Sequence, residues 1–434
     1  MKYYSTNNPQ HIVSFQEAVL NGLAPDGGLY MPQTIPSLSP DFIASLPSFS
    51  KSEIAFTVAR PFVDEAISDT DLMKIAEETV AFDFPLISLN PHVHILELFH
   101  GPTLAFKDVG ARFTARILQH ISQQHQKRIT VLVATSGDTG SAVAHGFYET
   151  NGIDVVILYP KGKVSVMQEK QFATLGKNIH AIAVDGTFDD CQRMVKSAFQ
   201  DNDLRQTMFL TSANSINIAR LLPQSFYYFF AWAALPTKQE VVFSVPSGNF
   251  GNLTAGVFAK KMGLPIHGFI AATNSNDVVP QYLETKQFSP RPSVQTISNA
   301  MDVGNPSNFA RLLELYQNSW DAMTKDITGY SFTDEETQHA MQQVYHTKNY
   351  LLDPHGAVAW LGLTRYLKDH PQAQGISFET AHPCKFTEVV EASLHIAPPP
   401  HPSLQALLDK PVQSISCPTN FQNLKKILQN LIAR

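Results

Sequence analysis

Cysteine is scarce in this chain: Cys191, Cys384 and Cys417 are the three in 434 residues, and they lie far apart. That spacing offers no disulfide framework and no zinc site, and it suits a reducing compartment. Long apolar runs are missing too. No stretch approaches the roughly 18 apolar residues of a membrane span. The aromatic segment 221–236 is short, begins beside Arg220 and reads as a buried helix. Residues 1–8 lack the apolar core of a signal peptide. No long basic run occurs and the formal net charge is -6, which argues against nucleic acid or an anionic membrane as a partner. No internal repeat recurs at a fixed period, so a solenoid is excluded. A soluble cytoplasmic protein is the expectation.

What is present is ample apolar material, 44% of residues, enough for two or three domains. Residues 1–95 read as an N-terminal domain of helices and turns, with a one-faced helix from Asp69 through Leu72, Ile75, Ala76, Thr79 and Val80. From there to 396 the texture is strand, glycine loop, helix, strand. Strands are predicted over 128–134, 154–159, 179–184, 240–245 and 266–271. The pattern argues for α/β architecture, a parallel sheet covered by helices. Asp353 followed by Pro354 marks a helix start. The spacer Ala397-Pro398-Pro399-Pro400-His401-Pro402 is stiff and sets 397–434 apart as a C-terminal appendage.

Three stretches carry chemistry. In His100-Gly101-Pro102-Thr103-Leu104-Ala105-Phe106-Lys107-Asp108 a lysine precedes a helical pattern at Phe113, Ile117 and Ile121. Asp108 falls in the first turn, where an acid suits the helix dipole. A dry helix N-terminus disfavours charge on Lys107, and a neutral lysine attacks aldehydes; the alternative is a lysine snorkelling to solvent. The second stretch, Ser247-Gly248-Asn249-Phe250-Gly251-Asn252, joins strand to helix. Its glycines and helix-end N–H groups suit phosphate, although an ordinary turn capped by Asn249 or Asn252 has the same spacing. It is neither a P-loop nor a dinucleotide fingerprint. The third, Thr135-Ser136-Gly137-Asp138-Thr139-Gly140-Ser141, can hold a carboxylate on its N–H groups and on the hydroxyls of Thr135, Ser136 and Thr139, or can be a capping box. Both loops would face one crevice at the C-terminal ends of the strands. A nucleophilic lysine with two anion loops points to pyridoxal phosphate, an aldehyde that carries a phosphate.

Residues 99–108 (FHGPTLAFKD), 135–141 (TSGDTGS), 247–252 (SGNFGN) and 380–386 (TAHPCKF) together resemble threonine synthase of the longer type found in enteric bacteria and fungi. Residues 1–7, 24–30 (APDGGLY) and 300–309 (AMDVGNPSNF) resemble it as well, and the likeness keeps its order to about residue 395. The resemblance implies the tryptophan synthase β-like pyridoxal-phosphate fold (fold type II). It implies conversion of O-phospho-L-homoserine and water to L-threonine and phosphate, the last step of threonine biosynthesis. By motif position Lys107 is the Schiff-base lysine. Gly248, Asn249, Phe250 and Asn252 hold the cofactor phosphate, Thr380 faces the pyridine nitrogen, and Asp138 lies near the phenolic oxygen. Cys384 stands where the family motif has alanine, a packing change.

Lysine suits removal of the Cα proton and transfer of the next from Cβ, since it sits beside Cα once displaced. Substrate phosphate needs a cation, for which Arg220, Arg112 and Lys163 are candidates, an arginine fork fitting best. His355 and His382 read as satisfied histidines near helix ends. No metal is expected, and the chain is expected to act as a monomer or homodimer. The competing readings are a threonine or serine dehydratase of the same fold and a non-catalytic binding relative.

Overall fold

The computed structural model describes residues 1–63, 65 and 67–432. The N-terminal part pairs β1 (Lys2–Ser5), β2 (Asn8–Ser14) and β3 (Tyr30–Pro32) as an antiparallel sheet in the order β2-β1-β3. Helices follow at Lys51–Ala59 and Asp69–Thr79. Each starts on a serine, Ser50 and Ser68, whose hydroxyl accepts from the third backbone N–H and so satisfies a donor the helix cannot. Leu72, Ile75, Ala76 and Thr79 form the buried face of the second.

β4 (Leu86–Asn90) and β5 (Val93–Glu97) already belong to the next layer. The expected boundary at 95 therefore cuts a strand, and the N-terminal unit ends before residue 86. β6 (Ile129–Ala134), β7 (Ile153–Pro160), β8 (Ile179–Asp185) and β9 (Phe209–Ser212) form one parallel sheet. β10 (Val241–Pro246), β11 (Gly268–Thr273), β12 (Ile327–Ser331) and β13 (Gln374–Glu379) join β5 and β4 in another, in the order β12-β11-β10-β13-β5-β4. Only β4 runs antiparallel, at an edge. β6, β10, β11 and β13 are buried along their whole length, which is why their sequences read as unbroken apolar runs.

The C-terminal segment is not an appendage. β14 (Ser414–Pro418) pairs in parallel with β8 and completes a five-stranded sheet, β14-β8-β7-β6-β9. Helix Phe421–Ile432 then buries Leu424 and Leu428 with Cys417, Cys191 and the apolar face of that sheet. The proline spacer ends one run of packing and the chain returns to cover another. The segment 221–236 is a buried helix as expected, Phe226–Ala234, preceded by a tight turn at Leu222–Ser225. Helix Lys107–His125 buries Phe113, Ile117 and Ile121 between the layers. Among the described residues no helix is long and apolar enough to cross a membrane.

Candidate active site

Lys107 is the first residue of helix Lys107–His125. The chain entering it is stitched to the end of β13: Phe106 N–H donates to Thr380 O at 2.9 Å, and His382 N–H donates to Leu104 O at 3.0 Å. The Tyr227 hydroxyl donates to Phe106 O. Leu104 takes a left-handed conformation, φ +58°, a strained choice for a branched side chain that turns the loop back toward Thr380. Burial lowers the Lys107 pKa, Lys385 and Arg220 push the same way, and Asp138 opposes them. Asp108 does not face its own helix end. It accepts from Thr103 N–H at 2.9 Å and from Thr103 Oγ1 at 2.6 Å, and burial outweighs these bonds to push its carboxyl up to about 6.

The loop after β10 enters helix Gly251–Lys261 through Phe250, at φ +60°. Among the described residues the N–H groups of Gly248, Asn249, Phe250 and Gly251 have no partner, which leaves a concave set of donors at a helix start. A Cβ on Gly248 would lie 2.6 Å from Met301 Cα, so only glycine lets the 299–301 turn close over the loop. The asparagine side chains are partly engaged, Asn252 within the loop and Asn249 with its neighbours. Asn252 donates to Pro246 O at 2.8 Å and accepts from Ser247 Oγ and Leu253 N–H at 3.0 Å each. Asn249 donates to Ser215 Oγ at 2.6 Å and accepts from Ser307 N–H at 2.5 Å. Each amide keeps a second N–H beside the open main-chain donors of the loop.

The loop after β6 is folded around Thr135. Its hydroxyl accepts from Gly137 N–H (2.9 Å) and Gly140 N–H (2.8 Å) and donates to Gly137 O (3.1 Å). That fills its one proton and two lone pairs, so Thr135 shapes the loop and has no capacity left for a substrate. Ser136 is exposed and Thr139 partly so, with their hydroxyls open to a ligand. Gly137 sits at φ +148°, and a Cβ there would meet the Gln168 amide at 2.4 Å. Asp138 opens helix Asp138–Phe147 and pairs with Lys385 Nζ at 2.6 Å, with Gln168 Nε2 donating at 3.2 Å. Burial would raise this carboxyl, but the Lys385 and Lys107 ammonium groups outweigh it and hold Asp138 below the usual range. Lys385 was missing from the expected site. The signal was there: it lies in the same seven residues, 380–386, as Thr380.

The expected cations make contacts of their own. Arg220 is 3% exposed. It donates to Ala213 O at 3.1 Å and lies close enough to Asp108 to feel its charge. It packs beside Gly110 of the lysine helix, its charge acts on Lys107, and its Nε has no partner among the described residues. Arg112 donates to Glu78 O at 2.9 and 2.6 Å, capping the end of the Asp69–Thr79 helix. Lys163 is exposed on a turn. His355 is satisfied on both nitrogens, by Asp353 Oδ1 (2.5 Å) and Ala300 N–H (3.2 Å). His382 accepts from Cys384 N–H at 3.2 Å, and burial lowers it to about 4. Cys384 is 8% exposed and burial raises its thiol, as a packing residue requires. Among the described residues no three His, Cys, Asp or Glu side chains are placed to hold a metal.

Lys107 is thus joined to Thr380 at the end of β13, which runs parallel to β10 and the 248–251 loop that follows it, and Asp138 of the 136–139 loop acts on the lysine's charge. A lysine with lowered pKa beside a main-chain phosphate cradle fits pyridoxal phosphate. Comparison with known proteins agrees. The family model described as pyridoxal-phosphate dependent enzyme matches residues 81–376. Those described as threonine synthase N terminus and threonine synthase, C-terminal, match 2–80 and 356–428. The threonine synthase of Haemophilus influenzae is 45% identical over 99% of both chains, and that of Escherichia coli 44% over 99% of this chain and 100% of its own. The crystal structure of the Escherichia coli protein superposes with TM-score 0.92, covering 99% of this chain and 100% of that one. The pyridoxal-phosphate-bound threonine synthase of Brucella melitensis is 34% identical, covers 99% of each chain and superposes with TM-score 0.93. With three family models in register and a relative this similar from end to end, the chain belongs to the threonine synthases, within the pyridoxal-phosphate-dependent enzymes.

Proposed function

We propose that the enzyme converts O-phospho-L-homoserine and water to L-threonine and phosphate, using pyridoxal 5'-phosphate held through Lys107. The observation that carries the reading is a half-buried lysine of lowered pKa at a helix start, its loop stitched to Thr380 and its charge felt by Asp138 of the 136–139 loop. When bound, the cofactor would supply the electron sink that lets protons leave Cα and then Cβ, the chemistry by which phosphate departs from Cγ and the hydroxyl of water adds at Cβ. The rest falls to this chain's residues. Lys107 Nζ would hold the cofactor through its aldehyde and, once the substrate amine has replaced it there, would take the Cα proton and later return it, and would carry the Cβ proton to Cγ, the departing phosphate keeping the proton that water gives up. The N–H groups of 248–251 hold the cofactor phosphate. Ser136, Thr139 and the free N–H groups of their loop hold the substrate carboxylate. The Thr380 hydroxyl is the neutral partner of the ring nitrogen. The three free, buried cysteines support residence in the cytoplasm, with the chain acting as a monomer or homodimer.

The test is an absorption spectrum of the purified protein before and after O-phosphohomoserine, with phosphate and threonine assayed together. A yellow band that shifts as both products appear is the expected result. Ammonia release without phosphate would move the enzyme to the dehydratases. Lys107→Ala should abolish turnover while cofactor still binds loosely; ordinary activity in that variant would remove Lys107 from the mechanism.

A further inference from the structure

The Lys385–Asp138 pair spans the crevice. Lys385 lies in the short turn Pro383–Phe386 after β13, and Asp138 opens the helix after β6. Their side chains are 1% and 5% exposed, and Nζ stands 2.6 Å from Oδ1. A second Lys385 donor reaches Thr103 O at 2.9 Å, in the loop that ends at Lys107. One ammonium therefore ties together the two sheets and the lysine loop, and neither the cofactor cradle nor the carboxylate loop needs it as a ligand.

Three charged groups face Lys107: Asp138, Lys385 and Arg220. Asp138 in turn faces Lys385, Lys107 and His355, and accepts from Gln168. His355 is engaged on both nitrogens, with Asp353 Oδ1 and with Ala300 N–H. Arg220 lies under the helix and forms no ion pair among the described residues. Among the described residues Asp138 is then the carboxylate that could draw a proton onto Lys107, and Lys385 is the cation that occupies it. A lysine that must add to an aldehyde and later accept a proton has to be neutral when it does so.

We propose that Lys385 is a positioning residue for Lys107: by pairing with Asp138 it keeps that carboxylate from holding the catalytic lysine in its protonated form. The inference rests on the cofactor reading above and is tested separately from it. The probe is the visible band of the holoenzyme, titrated with pH in wild type, Lys385→Met, Asp138→Asn and the double variant. Losing the Lys385 charge frees Asp138 to favour protonation at the Lys107 nitrogen, so the apparent pKa of the band should rise by about one unit, a tenfold change in proton affinity. Asp138→Asn should lower it. The double variant, which has neither charge, should return close to wild type. In Lys385→Met, kcat at neutral pH should fall and recover as pH is raised.

A Lys385 that merely staples the loops would lower thermal stability and leave the titration where it was, and that result overturns the proposal. If Lys385→Met fails to fold, the charge-free double variant and Asp138→Asn decide the matter. An unchanged band in Asp138→Asn is by itself enough to overturn it. Wild-type protein that forms no band at all would overturn the cofactor reading, and this inference with it.

Discussion

Asp108 sits in the first turn of its helix, where the dipole favours an anion, yet its carboxylate turns back onto Thr103. Burial outweighs those bonds and leaves it at about 6, above the usual 3.8 of an aspartate. A raised carboxyl is fully stabilising below its unfolded pKa, and the contribution is lost as pH climbs through the folded one. Asp108→Asn removes that titration. Its melting temperature should therefore gain on wild type as pH rises from about 4 to 7, by an amount on the order of 2 kcal/mol in stability. Scanning calorimetry across that range checks it; a constant difference between the two proteins would mean Asp108 is ionised throughout. Residue type and spacing singled out Lys107 and the glycine loops as candidates, and Thr380 came only through the family resemblance. Hydrogen-bond bookkeeping was not legible. Thr135 is a residue type a ligand loop needs, but the folded chain uses its hydroxyl fully within the loop. Leu104 and Phe250 carry no mark of the left-handed backbone they adopt, since tertiary contacts impose it.

Strands buried on both faces announce themselves by unbroken apolar runs, and β6, β7, β8, β10 and β11 were all readable within a residue or two. β14 was not. It is an edge strand with only Cys417 buried, so its sequence shows neither a run nor a clean alternation. The helix after it does carry spacing, at Leu424 and Leu428, but the proline spacer before it suggested that the fold had ended. Edge and core together make this element a structural necessity. Removing residues 413–434 would expose the hydrogen-bonding edge of β8 and uncover Val184, Cys191 and Met194. The truncated protein should be found largely in the insoluble fraction. Leu424→Ala, a smaller insult, should cost about 2–5 kcal/mol in denaturant unfolding. A soluble, cooperatively unfolding truncation would show that the segment is dispensable after all.

The same C-terminal segment reaches the active site before it reaches β8. Leu404 and Leu407 pack with Leu104 of the lysine loop, Cys384 of the 383–386 turn and Met167. Lys170 holds this strap by donating to Leu408 O at 2.6 Å and Lys410 O at 2.8 Å, and Gln413 N–H donates to Ala173 O at 2.6 Å. Pieces separated by some 300 residues of chain thus share one small apolar cluster against the strained turn at Leu104. That geometry accounts for Cys384: a side chain slightly larger than alanine fills space beside two leucines. It also makes a claim about the whole molecule, that the strap helps to keep Lys107 aimed. Leu404→Ala with Leu407→Ala should lower stability by about 2–5 kcal/mol per site as cavity-forming changes do. It should also weaken cofactor retention, because the Leu104 turn loses the contacts that offset its backbone strain. Dilution followed by the decay of the visible band measures retention independently of melting. If the double variant melts earlier but holds its cofactor as tightly as wild type, the strap packs against the site without aiming it. Faster loss of the band at a temperature where both proteins are folded would place residues 402–413 in the working structure of the site.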